Sequence, residues 1–412
     1  MKEKAIQHQS LKEYGFVMRS IYEVCETVTD YVAAGSFADL KKNVEYLSEP
    51  NYAQLIRTVD LKSRFLKGNF IYVSKKAFDY LWRVNLNCES IILPNIGNCG
   101  EVYYVVPEKL PYKNNVLATN AILVRSLKES NKYLFYIFQS KHFQDELKKI
   151  TSPVGQTKFN KTELKNICIP IPSRKVQEEI VKILDSFTNL IDALNEELSL
   201  RQKQFEYYRE KLLTFDDNVY LMSLGDCCVI KGRIGFRGYT IKDQVNKGEG
   251  AISLSPGNIS EGIINYNQCT YISWDKYYES PEIMINNGDI IFCKTASVGK
   301  VAVINDLPCE ATINPQLVVL KEININKKYL YYYLSSNSIQ NKVKSLAGVG
   351  SVPNISQSIL NDLDISVPSS QVMKSIVEKL DAFESLISSL KEEIALRQKQ
   401  YEYYREKLLT FD

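Results

Sequence analysis

The stretch Lys231-Gly232-Arg233-Ile234-Gly235-Phe236-Arg237-Gly238 puts three cations on a glycine-rich, turn-forming segment. Glycine lets a backbone approach a ligand closely. Arg and Lys bind phosphates or bridge guanine edges. That chemistry is nucleic-acid recognition, although an ordinary solvated turn would use the same residues. Weaker candidates of the same kind are Arg57, Lys62 and Arg64, with Asn95 and Asn98, in the first half of the chain. Lys294, Thr295 and Ser297 stand at the matching place in the second half.

Other chemistries find little support. The chain has two His, His8 and His142, at unrelated places, which argues against His-based metal sites and Ser-His or Cys-His catalysis. The run TASVGKV at 295–301 lacks the first Gly and the closing hydroxyl of a phosphate loop. Ile313-Asn314-Pro315-Gln316 is a poor match to an adenine-holding Asn-Pro-Pro-Tyr motif. Nine Cys are scattered without a C-x-x-C, so a reducing cytoplasm is expected, with no disulfide framework and no structural metal. No apolar run is long enough to span a membrane, and the first residues lack a signal-peptide core. Together these absences argue against a self-contained enzyme.

The elements that must hold the candidate residues are organised by a repeat. RQKQFEYYREKLLTFD at 201–216 returns as RQKQYEYYREKLLTFD at 397–412. A shift of 196 aligns 172–216 with 368–412 without a gap, and 29 of the 45 positions are identical. The same shift lays NKYLFYIFQSKHFQ (131–144) on KKYLYYYLSSNSIQ (327–340). A shift of 199 lays SIILPNIGNCGEV (90–102) on DIIFCKTASVGKV (289–301), with Gly100 over Gly299. The chain is thus a tandem duplication whose helical segments stayed alike while its globular segments diverged.

In the first copy apolar residues fall at Ile180, Leu184, Phe187, Ile191, Leu194, Leu198, Phe205, Tyr208, Leu212 and Phe215. In the second they fall at Ile376, Leu380, Phe383, Ile387, Leu390, Ile394, Tyr401, Tyr404, Leu408 and Phe411. Steps of four and three over about five heptads make a coiled-coil seam. It is interrupted only at Arg201 and Arg397, where a polar residue could fix register. Each helix starts after a Pro-Ser (Pro172-Ser173, Pro368-Ser369) and runs roughly 60 Å. Its obvious partner is its twin. The polar faces repeat too: Glu206, Tyr207, Arg209, Glu210 and Lys211 return as Glu402, Tyr403, Arg405, Glu406 and Lys407. Two near-invariant surfaces in one chain predict that each docks the same partner, although recent duplication would also leave them alike.

The segments 1–171 and 217–367 mix strand-length apolar runs with Gly/Asn/Pro turns, and each has one clear helix, about 131–149 and 327–346. They read as mixed α/β or α+β domains. The helical segments carry seven Lys/Arg each, against nine and eight Asp/Glu. With +3 overall, the globular segments share a net +6, a modest basicity compatible with phosphate contact.

The layout resembles a type I restriction-modification DNA specificity subunit. The resemblance rests on LRQKQFEYYREKLLTF and LRQKQYEYYREKLLTF, the Pro-Ser helix starts, and the strand-like ICIPIPS and LDISVPS before them, and it covers essentially the full chain. It implies target recognition domains at 1–171 and 217–367, each reading one half of a split, asymmetric site in double-stranded DNA. It implies spacer and docking helices at 172–216 and 368–412, packed as an antiparallel coiled coil. These would dock two adenine-methyltransferase subunits and, through them, two restriction subunits. S-adenosylmethionine, and the ATP and Mg of cleavage, would belong to those partners. The first domain has no clear counterpart of the KGRIGFRG loop. Two alternative readings stay open: a coiled-coil scaffold that never touches DNA, and an enzyme in the diverged heads, such as a nuclease using acidic residues and Lys.

Overall fold

The computed structural model describes residues 14–66, 68–152, 156–216, 219–348 and 352–410. The chain divides into two compact units, Met1–Leu194 with Glu393–Asp412, and Asn195–Glu392. Each unit holds one globular head, the first half of the long helix that follows it, and the second half of the other long helix.

The first head is built on an antiparallel sheet in the spatial order Thr27–Asp30, Ala121–Arg125, Ser90–Pro94, Tyr103–Val105. Its strands alternate with period two. Ile91, Leu93, Ile122 and Val124 face a core completed by Tyr133, Tyr136 and Phe138, while Ile92, Leu123 and Val105 face a second core with Leu55 and Val116. Both faces are therefore buried, which explains the continuous apolar runs in sequence. A smaller sheet orders Ile71–Val73, Ala53–Ile56 and Asn115–Leu117, the last two parallel.

The second head repeats this plan. Val229–Gly232, Leu317–Lys321, Ile290–Cys293 and Val301–Val303 form the main sheet. Ile290, Phe292, Val318 and Leu320 face one core, and Ile291, Cys293, Leu317 and Val319 the other. The smaller sheet orders Gln244–Val245, Thr270–Ile272, Ala251–Leu254 and Ala311–Ile313, again with a parallel last pair. In both heads a two-stranded pair clips the start of the head to the strand before its long helix: Phe16–Ser20 with Cys168–Pro172, and Leu221–Ser223 with Asp364–Ser366.

The single helix expected in each head is two. Asn131–Gln139 and Lys141–Ile150 break at Ser140, and Lys327–Ser335 and Asn337–Leu346 break at Ser336. Each Ser takes an extended backbone, and its hydroxyl accepts from the N–H three residues on, capping the second helix. Behind each break Gln144 and Gln340 donate to the carbonyls of Gly100 and Gly299, at 3.0 and 2.7 Å. Both glycines have positive φ, 103° and 96°, and a Cβ at either would press on the Gln side chain.

The long helices are Arg174–Leu213 and Ser370–Leu409. In one unit Phe187 stacks on Tyr404 at 5.3 Å, and in the other Phe383 stacks on Tyr208 at 5.5 Å. Early positions of each helix thus meet late positions of its twin, so the pairing is antiparallel. Leu184, Leu380 and Leu390 are buried, and Phe187, Ile191, Leu194, Phe383 and Ile387 half-buried, along this seam. Phe411 lies outside the described residues. Arg201 and Arg397 bond to their own helix, reaching Glu197 and Glu393 at 3.3 Å in i,i+4 pairs.

Candidate nucleic-acid interface

In the second head, Lys231 stands exposed near the end of the edge strand Val229–Gly232. A Cβ at Gly232 would crowd Val318 Cγ1 at 3.1 Å and Gln357 Oε1 at 3.3 Å, and Lys294 Nζ lies 3.8 Å from the same point, so the second cation stands near the first. Lys294, Thr295 and Ser297 occupy the loop after Ile290–Cys293. That loop is pinned by Thr295 Oγ1 donating to Asn354 Oδ1 at 2.7 Å and by Ile355 N–H donating to the Lys294 carbonyl. Ala296, at φ 65°, turns the loop.

Arg233 corrects the sequence reading. It is only 5% exposed. Its guanidinium donates to the carbonyls of Ile313 (3.2 Å) and Arg237 (3.3 Å) and to Thr312 Oγ1 (3.3 Å), against the Tyr239 ring. Burial lowers its pKa. Its donors are spent bracing the KGRIGFRG loop onto the smaller sheet. Arg237 is also engaged, donating to the Glu279 carbonyl with Glu282 at 3.5 Å. Of the three cations in the motif, Lys231 is the exposed one.

The first head shows the same division. Arg57 forks onto Asp60 at 3.0 and 2.8 Å and donates to the Asn69 carbonyl at 2.9 Å. Asp60 is fully buried, so Arg57 clamps the loop 57–70 rather than offering a free cation, and that ion pair raises its pKa. Lys62 and Arg64 are exposed, paired with Glu101 at 2.5 Å and Asp192 at 3.4 Å. Asn98 is exposed on the loop that carries Glu101. Asn95 faces inward, donating to the Phe159 carbonyl at 3.4 Å.

In both heads, then, the loop after the parallel-paired strand is tied to the Gly-containing loop of the main sheet. Lys62–Glu101 makes that tie in the first head. In the second, Lys300 donates to the carbonyls of Pro256 and Ile259 at 3.2 and 3.0 Å. Glu101 and Lys300 are equivalent under the 199-residue shift, with opposite charge. Sequence reasoning missed both, because a charge reversal hides a shared tie.

The repeated polar faces of the helices split into two groups. Arg209 and Arg405 are mostly buried, over the rings of Phe205 (5.3 Å) and Tyr401 (5.5 Å) and beside Glu210 and Glu406. Glu210 accepts from Asn337 N–H and Ser338 N–H at 2.6 and 3.2 Å, and Glu406 from Lys141 N–H at 3.0 Å. Glu210 and Glu406 thus seat the helix on the head of their unit, and Arg209 and Arg405 lie beside them against rings of their own helix. Arg209 and Arg405 therefore carry an internal role not read from sequence. Glu206, Tyr207 and Lys211, and Glu402, Tyr403 and Lys407, face outward. Tyr207 and Tyr403 are 60% and 61% exposed, with Lys211 and Lys407 over their rings at 5.8 and 5.9 Å. In the second unit these residues line an open groove of about 640 Å³ that includes Lys203, Glu210 and Asn337. Among the described residues no cluster could hold a metal, and no helix is long and apolar enough to cross a membrane.

Comparison with known proteins agrees with this architecture. The profile of the type I restriction modification DNA specificity domain matches twice, at residues 14–200 and 218–396. A putative type I restriction enzyme specificity subunit of Haemophilus influenzae is 31% identical over 320 residues, covering 71% of this chain and 76% of the relative. A type I restriction enzyme specificity subunit of Escherichia coli is 33% identical over 260 residues, covering 60% of this chain. The chain spans 63% of that relative's length. The crystal structure of a type I restriction-modification S subunit from M. genitalium shares the fold, with TM-score 0.53, 16% identity and 96% of each chain covered. The chain belongs to the type I restriction-modification DNA specificity family, a non-catalytic class of subunit.

Proposed function

We propose that this chain reads a bipartite, asymmetric DNA site, one half with each head, and docks two adenine-methyltransferase subunits, one on each outward Glu-Tyr-Lys strip. Restriction subunits join through those methyltransferases. S-adenosylmethionine, ATP and Mg serve the partners. One observation carries the reading. The outward strips keep the same residues and ring-to-ammonium spacing in both units, while the head loops differ in chemistry at equivalent places. Like surfaces suit like partners, and unlike loops suit unlike base sequences.

In the second head Lys231, Lys294, Thr295 and Ser297 form the reading surface, and in the first Lys62, Arg64 and Asn98. Arg57, Arg233, Arg237 and Asn95 hold those loops. Linking two heads of modest affinity makes the second contact effectively intramolecular. The test is co-expression with an adenine methyltransferase of such a system and mapping of methylated adenines in host DNA. A split motif is expected, with one half changing when 217–367 is exchanged for another head. A stable complex that methylates no site would instead favour a scaffold.

A further inference from the structure

The connection between the two equivalent strands of the smaller sheet differs in sequence between heads, yet shares an unusual outcome. In the first head it joins Ala53–Ile56 to Ile71–Val73, and in the second Ala251–Leu254 to Thr270–Ile272. Both begin with a capping bond from a buried polar residue: Asp60 accepts Arg57 N–H and Asn258 accepts Ser255 N–H, each at 2.9 Å. Both turn through left-handed residues, Arg64 (φ 49°) and Phe65 (φ 59°) in one, Glu261 (φ 49°) and Gly262 (φ 76°) in the other. Three of these four are not glycine and store strain, which persists only where the surroundings enforce it. Both tips pair with their own long helix, Arg64 with Asp192 and Glu261 with Lys391. Both then present a bare aliphatic side chain: Leu66 is 85% exposed and Ile263 is 69% exposed.

A strained turn followed by an exposed aliphatic at equivalent places in both heads adds nothing to either core. We propose that Leu66 and Ile263 are apolar wedges that enter a base step of the bound duplex at each half-site. This rests on the reading of the heads as DNA-binding. Inserting an aliphatic side chain unstacks a step and bends the duplex. Lys62 and Arg64 lie within four residues of Leu66, and their exposed pairs with Glu101 and Asp192 are weak enough to exchange for phosphate. At the second tip Lys391 neutralises Glu261, removing the charge that would oppose the backbone. Unstacking at each half-site also lowers the cost of extruding the adenine for methylation, a step done by the partner.

The test uses the full chain in complex with its methyltransferase. The probe is a duplex carrying the site mapped from host methylation, with 2-aminopurine placed step by step through each half-site. Wild type should raise the fluorescence at one step per half-site. Leu66→Ala should abolish the rise in the half-site of the first head only, and weaken binding about tenfold to a hundredfold, the scale set by burying one such side chain. Ile263→Ala should do the same in the other half-site. Neither exposed side chain supports the fold, so melting temperature and complex formation should stay unchanged. Unaltered affinity and fluorescence in both variants, with wild type binding normally, would overturn the wedge alone. Loss of methyltransferase assembly instead would make the tips protein contacts and overturn it too. Failure of wild type to select any duplex would overturn the DNA reading itself.

Discussion

At the scale of single residues, the two units are not chemically equal where helix meets head. In the first unit Lys132 and Tyr136 both engage Asp185, with Thr188 3.4 Å from the Tyr136 hydroxyl. In the second, Tyr332 donates to Asp381 at 2.7 Å and to Glu384 at 2.9 Å, with Lys328 on Asp381 at 2.7 Å. Glu384 stands where the first unit has Thr188. Burial raises its carboxyl above the ordinary 4.5; Asp381 adds to the rise, while the Tyr332 hydrogen bond, Lys328 and Arg209 oppose it. A carboxyl with a raised folded pKa binds its proton more tightly in the folded state. Its cost to stability is therefore absent below pH 4.5 and grows as pH rises through the folded pKa. Glu384→Gln keeps an acceptor for Tyr332 and cannot ionise. It should raise the urea midpoint at pH 7 and leave it unchanged at pH 4. A lower midpoint at pH 7 would mean that Glu384 is held as a stabilising anion.

At the scale of elements, the heptad spacing made the long helices legible, and the apolar runs marked the strands, but burial of both sheet faces came only with the fold. The positions of Glu210 and Glu406 within the repeat were equally visible, but their roles were not, because each caps a helix more than 120 residues away. Arg233 misled for a related reason. Motif and charge mark a cation as available, but only the fold reveals that three internal acceptors surround it. The breaks at Ser140 and Ser336 were legible in principle as Ser caps inside an apolar pattern that otherwise reads through. Capping predicts that Glu406→Ala and Glu210→Ala each destabilise their unit by about 1 kcal/mol. Glu210 should cost more, since it serves two N–H donors. Thermal melts of the two variants check this. Tyr207→Ala and Tyr403→Ala, altering exposed rings, should leave the melts unchanged.

At the scale of the whole molecule, neither half of the sequence contains a complete unit. The first head is finished by Tyr401, Leu408 and Leu409, which join its core, and the second head by Leu213 with Phe205 and Leu212. Residues 1–216 alone would leave Leu184 and its neighbours uncovered. The obvious cover is the same segment of a second copy, since the helices are so alike. The fit would be imperfect at one point. Tyr401 donates its hydroxyl to Gln139 at 3.2 Å. The self-pair would put Phe205 there and leave the half-buried Gln139 oxygen without that donor, a loss of about 1 kcal/mol at each of two sites. In the native second unit Ser335 stands at the position equivalent to Gln139, and its hydroxyl donates to the Tyr331 carbonyl at 2.7 Å, so it asks for no such bond. The single difference between the two RQKQ-x-EYYREKLL copies is thus matched by a difference in the head it covers. Separately produced 1–216 should run as a self-associated species by light scattering. Mixed with 217–412 it should convert to a one-to-one complex with a higher melting temperature. A folded monomer of 1–216 would show that the head needs no helix from the other half, and would overturn the shared-unit architecture.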